Sequence, residues 1–168
     1  AKFINDGDFI SLKSLYSKSS LNLLIISGLI FILIISNLQD LYRIIPEEFS
    51  GGFYIVLMVG IAKLYDNFLG NNNSILFNSD YYKIALILGV FLALITIGFN
   101  MYFIPKYGIE GAALATFLAV IIYNTAKLLF VKLKFNMMPF SGRTIFVLLV
   151  LLVLSFVFYF IKLPFHAI

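Results

Sequence analysis

Apolar residues in this 168-residue chain fall in long runs and do not alternate with polar ones. Five runs approach the roughly 20 residues that a helix needs to cross about 30 Å of hydrocarbon. They cover residues 21–38, 53–69, 84–103, 109–131 and 144–161. The second run is interrupted by Gly70-Asn71-Asn72-Asn73-Ser74 and resumes briefly to Phe77, and the third is closed by Ile104-Pro105-Lys106. Residues 1–20 follow another pattern. Asp8 can cap a helix in which Phe9, Leu12, Leu15 and Tyr16 share one stripe while Lys13 and Lys18 point away. Such a segment either lies in the membrane interface or links to a preceding span. The pattern therefore predicts an all-α, polytopic membrane helix bundle with five transmembrane helices over residues 21–168, preceded by a cytoplasmic or interfacial amphipathic segment.

Composition sharpens this reading. The chain is 62% hydrophobic and 12% charged, against roughly 45–50% and about 25% for soluble domains. Its mean hydropathy of +1.03 leaves too few charges to clothe a water-soluble globule. With no cysteine, disulfides, thiolate metal sites and cysteine nucleophiles are excluded. The single histidine, His166, excludes HExxH zinc sites and an internal Ser-His-Asp set. No GxxxxGK[ST] phosphate loop occurs. The expectation is a protein without cofactor or metal, and not an enzyme. Ala1 opens the sequence and nothing resembles a signal peptide, so the chain reads as a piece of a longer protein.

The net charge of +4 comes from basic residues scattered between apolar runs, which fits the positive-inside rule and not a nucleic-acid surface. With the N-terminus cytoplasmic, the inner segments hold Lys2, Lys13, Lys18, Lys83, Lys127, Lys132, Lys134 and Arg143, and the outer ones only Arg43, Lys106 and Lys162. Tyrosines supply the interfacial belt in a chain without tryptophan: Tyr42, Tyr54, Tyr102, Tyr107 and Tyr159 outside, Tyr81 and Tyr82 inside.

Two runs carry polar chemistry. At 100° per residue, Gly60, Lys63, Asp66, Asn67 and Gly70 share one arc of the second run, with Lys63 near mid-membrane. An unrelieved charge there costs about 2.5–3.5 kcal/mol on insertion scales. Lys63 and Asp66 are therefore expected to face protein or a water-filled cavity, unless the lysine merely snorkels. In the fourth run, Gly108, Ala112, Ala115, Thr116, Ala119, Tyr123, Ala126 and Lys127 form a stripe of mostly small residues. Such a stripe lets a second helix approach closely, with Gly108, Ala112, Ala115 and Ala119 as the packing residues. Thr116 and Tyr123 are alternatives for lining a pathway. The outer residues Asp40, Arg43, Glu47 and Glu48 read as a solvated loop, and Glu110 as a favourable charge at a helix start.

The stretch NMYFIPKYGIEGAALAT, Asn100 to Thr116, resembles the "N…IPkyGi.GAA.AT" signature of bacterial polysaccharide flippases, the O-antigen and capsule translocases of the multidrug/oligosaccharidyl-lipid/polysaccharide exporter superfamily. GIAKLYDNFLGNNNSILFNSDYY, Gly60 to Tyr82, is similar to a second block of that family, and GDFISLKSLYSKSS to the segment before its ninth helix. The resemblance implies a C-terminal piece of a transporter of 12 to 14 helices in two bundles. It further implies translocation of undecaprenyl-pyrophosphate-linked oligosaccharide across the bacterial inner membrane, with the N-terminal half of the same transporter and the lipid bilayer as partners. Two alternatives stay open: a multidrug exporter of the same superfamily, and a membrane glycosyltransferase or ligase acting through the adjacent Glu47 and Glu48.

Overall fold

The computed structural model describes residues 2–44 and 52–160, with side chains as far as residue 158. Among them every regular element is a helix: α1 (Lys2–Asn5), α2 (Phe9–Ser36), α3 (Leu38–Ile44), α4 (Phe53–Phe68), α5 (Asn72–Phe77), α6 (Tyr82–Phe135) and α7 (Gly142–Phe160). Two of them, α2 and α6, are long and apolar enough to cross a membrane. Glu47, Glu48 and Lys162 lie outside the described residues.

The amphipathic segment and the first apolar run form one unbroken helix. The Asp8 carboxylate caps it, accepting from the Ser11 amide at 3.0 Å. The hydroxyl and amide of Ser11 hold that carboxyl below its ordinary 3.8. From there α2 buries one residue per turn, Leu12, Tyr16, Ser20, Leu24, Gly28 and Ile32. Phe9 and Leu15, expected on the same stripe as Leu12 and Tyr16, are exposed. At 28 residues, α2 is about 42 Å long. Asn37 turns the chain into α3 while its side-chain amide donates to the Leu33 carbonyl at 2.8 Å.

A straight 54-residue helix would extend for about 81 Å, but α6 folds back on itself. The reversal is at Gly108, whose φ of 57° and ψ of −133° are backbone angles that a residue with a Cβ rarely adopts. Pro105, expected to close the third run, lies inside the helix. A proline in a last turn forfeits one hydrogen bond, which ends no helix by itself; the positive φ does. Beyond the turn, a Cβ on Gly111 would run into the Phe103 carbonyl oxygen, so the two limbs meet backbone to backbone. At the far end Tyr81 rests edge-on against Phe130 and Phe135, and Ala85 shares a core with Val131. The limbs, 82–107 and 109–135, are thus an antiparallel hairpin.

The second limb is central and the first peripheral. Ala115 and Ala119 are fully buried, as are Asn124 and Val131. The first limb buries only Ala85 and exposes Leu86, Ile87, Val90, Leu94 and Ile97. Helix α7 likewise exposes Ile145, Phe146, Leu149, Leu152 and Val153. Continuous apolar faces of this extent suit hydrocarbon surroundings.

Helix α4 runs antiparallel to α2. Gly60 abuts the Phe31 ring, and Gly70, with φ of 57°, abuts the Ser20 backbone. Ser20 also donates its hydroxyl to the Phe68 carbonyl at 2.5 Å, satisfying one of the carbonyls a helix leaves open at its end. Helix α4 ends there, and short α5 lies beyond it. Leu12 and Tyr16 of α2 join Ile75 and Leu76 of α5, Val131 of α6 and Met137 in one buried core.

Candidate functional site

Polar groups gather where α4, α5 and the second limb of α6 meet. Lys127 is 1% exposed. Its ammonium donates to the Asn73 Oδ1 at 2.7 Å, stands 4.0 Å from the Asp66 Oδ1 and lies 4.1 Å from the centre of the Tyr123 ring. An acceptor, an anion and an aromatic face therefore replace water around one buried cation. The Asp66 side chain keeps 41% of its surface exposed, so the 4.0 Å pair is a loose one. Nearby the Tyr65 hydroxyl bonds the Thr125 hydroxyl at 3.0 Å, tying α4 to α6 a second time. The side-chain amides of Asn72 and Asn124 are buried without a hydrogen-bond partner among the described residues, as is the Tyr16 hydroxyl.

Lys63 is elsewhere. It lies exposed in a groove of about 390 Å³ between α2 and α4. Ile30, Phe31 and Ile34 of α2 face Val56 and Val59 of α4, while Ser27, Lys63 and Asn67 are the polar residues of this groove. The Ser27 hydroxyl is already spent on the Leu23 carbonyl of its own helix. Lys63 has no carboxylate partner among the described residues. Since Gly60 meets Phe31 and Gly70 meets Ser20, Lys63 is level with about residues 27–28 of α2. That is close to the middle of the apolar run 21–38.

The expected site residues thus separate into two groups. Lys63 and Asn67 line the groove, whereas Asp66 and Tyr123 gather at Lys127. Thr116 joins neither: its hydroxyl back-bonds to the Ala112 carbonyl at 3.0 Å on an exposed face. Of the four expected packing residues, Ala115 and Ala119 are wholly buried and Ala112 half-buried. Gly108 packs against nothing and is the turn of the hairpin.

Lys127 was expected on the small-residue stripe of the fourth run and was also counted among the cytoplasmic-side cations; it is buried in the helix bundle, as the stripe implies. Its neighbour Tyr123 one turn away on the same stripe was the available signal, but Asn73 lay hidden in what read as a simple interruption. Chemically, the Lys127 ammonium is enclosed by Asn73, Asp66 and Tyr123 and acts as a peg between three helices. The Lys63 ammonium is free to meet an anion. Comparison with protein-family models, with characterised proteins and with solved structures finds no match to this chain.

Proposed function

We propose that this chain is the C-terminal part of a flippase that carries lipid-linked oligosaccharide across the bacterial inner membrane, a carrier and not an enzyme. In this reading α2, α4, the two limbs of α6 and α7 are five spans, and the start of α2 is cytoplasmic. The N-terminal half of the same transporter completes the pathway. The observation that carries the reading is the groove between α2 and α4, hydrocarbon-walled with a single unpaired ammonium. An undecaprenyl pyrophosphate offers the matching chemistry. Its isoprenoid chain suits Ile30, Phe31 and Val56, its pyrophosphate suits Lys63, and Asn67 can bond a phosphate or sugar oxygen. A lysine at this level is costly unless it meets an anion, which is the reason to read it as functional. The break after α4, at Gly70, is the kind of interrupted helix on which carriers build binding sites.

The test is export by the full-length protein, scored as surface polysaccharide against membrane-inserted protein. Lys63→Ala is expected to abolish export while leaving the protein level intact. Lys63→Arg should keep part of it, because charge survives while donor geometry changes. Normal export by Lys63→Ala overturns the assignment of the groove.

A further inference from the structure

A second cavity, of about 590 Å³, opens between the start of α2 and the start of α7. It brings together Lys13 and Lys18, five residues apart on α2, with Arg143 of the first turn of α7. No carboxylate is among the residues that line it. Asp8, the acid nearest in sequence to these lysines, is engaged as the α2 cap. Ser14 and Ser17 add neutral hydroxyls to the lining, while the hydroxyl of Ser141 is engaged with that of Thr144. The cavity is amphipathic as well as basic: Ile10, 87% exposed, and Leu21 form part of its wall.

We propose that this cavity binds the phosphate headgroup of an anionic membrane lipid from the leaflet that the start of α2 faces. Three cations without a neighbouring acid attract a multiply charged anion, and an arginine can grip two phosphate oxygens at once. The α7 amides of residues 142 and 143 have no acceptor within their helix and add donors at its positive end. Phosphate chemistry alone would also admit the free ion. The apolar residues decide for a lipid: Ile10 and Leu21 flank the cations where the long apolar helix α2 begins, which suits an acyl chain attached to the phosphate. Basic cavities between helices at a membrane surface bind lipid headgroups on this principle. Neither Lys63 nor the nature of any cargo enters the proposal, so its failure leaves the flippase reading standing, and the reverse.

The test uses the full-length protein purified in detergent, with retention of added dioleoyl phosphatidate measured by native mass spectrometry against dioleoyl phosphatidylcholine. The wild type should retain phosphatidate preferentially. Lys13→Gln with Lys18→Gln and Arg143→Gln should lower retention about tenfold or more, since each cation at a membrane surface contributes severalfold to anion affinity. Arg143→Gln alone should lower it severalfold, so the outcome does not depend on the triple variant folding. Lys132→Gln with Lys134→Gln removes two exposed cations that do not line the cavity, and should change nothing. Excess inorganic phosphate should displace the lipid only weakly. Undiminished retention after the three replacements, an equal loss in the Lys132 and Lys134 variant, or displacement by equimolar inorganic phosphate would each overturn the proposal.

Discussion

Lys63 and Lys127 carry the same ammonium into the same bundle, yet their surroundings give them opposite duties. Lys127 is enclosed by Asn73, Asp66 and Tyr123, so what it contributes is cohesion. Lys127→Ala is expected to lower stability by about 2–4 kcal/mol, the cost of emptying a buried site of this size. Lys127→Met keeps the aliphatic stem, and trading a buried charge for an apolar isostere is often neutral. It should fold nearly as well as the wild type. Asp66→Asn should cost no more than roughly 1 kcal/mol, because the pair is long and half in the open. Denaturant unfolding of the detergent-solubilised protein measures all three, and an Asp66→Asn loss as large as that of Lys127→Ala would reveal a tight ion pair instead. The sequence places Lys63 and Asp66 on one helical arc, but α4 packs against α2 on one side and α6 on the other. An arc computed along one helix has no knowledge of two neighbours, so it could not tell that the pair would be divided between them. Nor could it show what Lys127 meets, although the run 109–131 already places that lysine one turn beyond Tyr123 on the small-residue stripe. Its burial depends on α5, a six-residue helix in an asparagine-rich interruption with too little periodicity to announce itself.

At the level of elements, the two limbs of α6 were legible as the runs 84–103 and 109–131, because hydrocarbon length and a small-residue stripe are both written locally. The position of the reversal was not, since a proline is the more visible breaker and Gly108 carries the positive φ. The structure makes the distinction measurable. A Cβ at Gly108 would meet nothing within 4 Å, so Gly108→Ala should lose only the conformational term of about 1–3 kcal/mol. A Cβ at Gly111 would collide with the Phe103 carbonyl, and backbone cannot step aside, so Gly111→Ala should be the more damaging. Ala119→Leu should also lower the folded yield, because that position is wholly buried, whereas Leu118→Ala, half-buried, should matter less. Yields compared by size-exclusion chromatography test the set. Wild-type behaviour of both glycine variants would mean that α6 does not turn where the structure turns it.

Across the whole molecule, aromatic contacts fix which helix ends lie together. Phe9 at the start of α2 lies 6.4 Å from Phe135 at the end of α6, and Tyr81 before α6 lies 5.7 Å from the same ring. Phe68 at the end of α4 stacks on Phe140 just before α7 at 4.6 Å. Two aromatic groups therefore mark one end of the bundle. One joins the start of α2 to both ends of the α6 hairpin, and the other joins the end of α4 to the start of α7. The Gly108 turn and the start of α4 belong to the opposite end. In the reading proposed above, lysine and arginine counts put the aromatic end on the cytoplasmic side, by an argument independent of the packing. Together they make a prediction for the bilayer. The native sequence has no cysteine, so single introduced cysteines report without background. Cysteine at Lys106, two residues before the turn, should react with an impermeant thiol reagent added to the periplasmic side. Cysteines at Asp80 and Lys134, beside the aromatic cluster, should react only after the membrane is opened. The reverse pattern would invert the orientation while sparing the fold. Labelling of all three from one side would mean that the α6 hairpin does not cross the bilayer, and with it the five-span reading would fall.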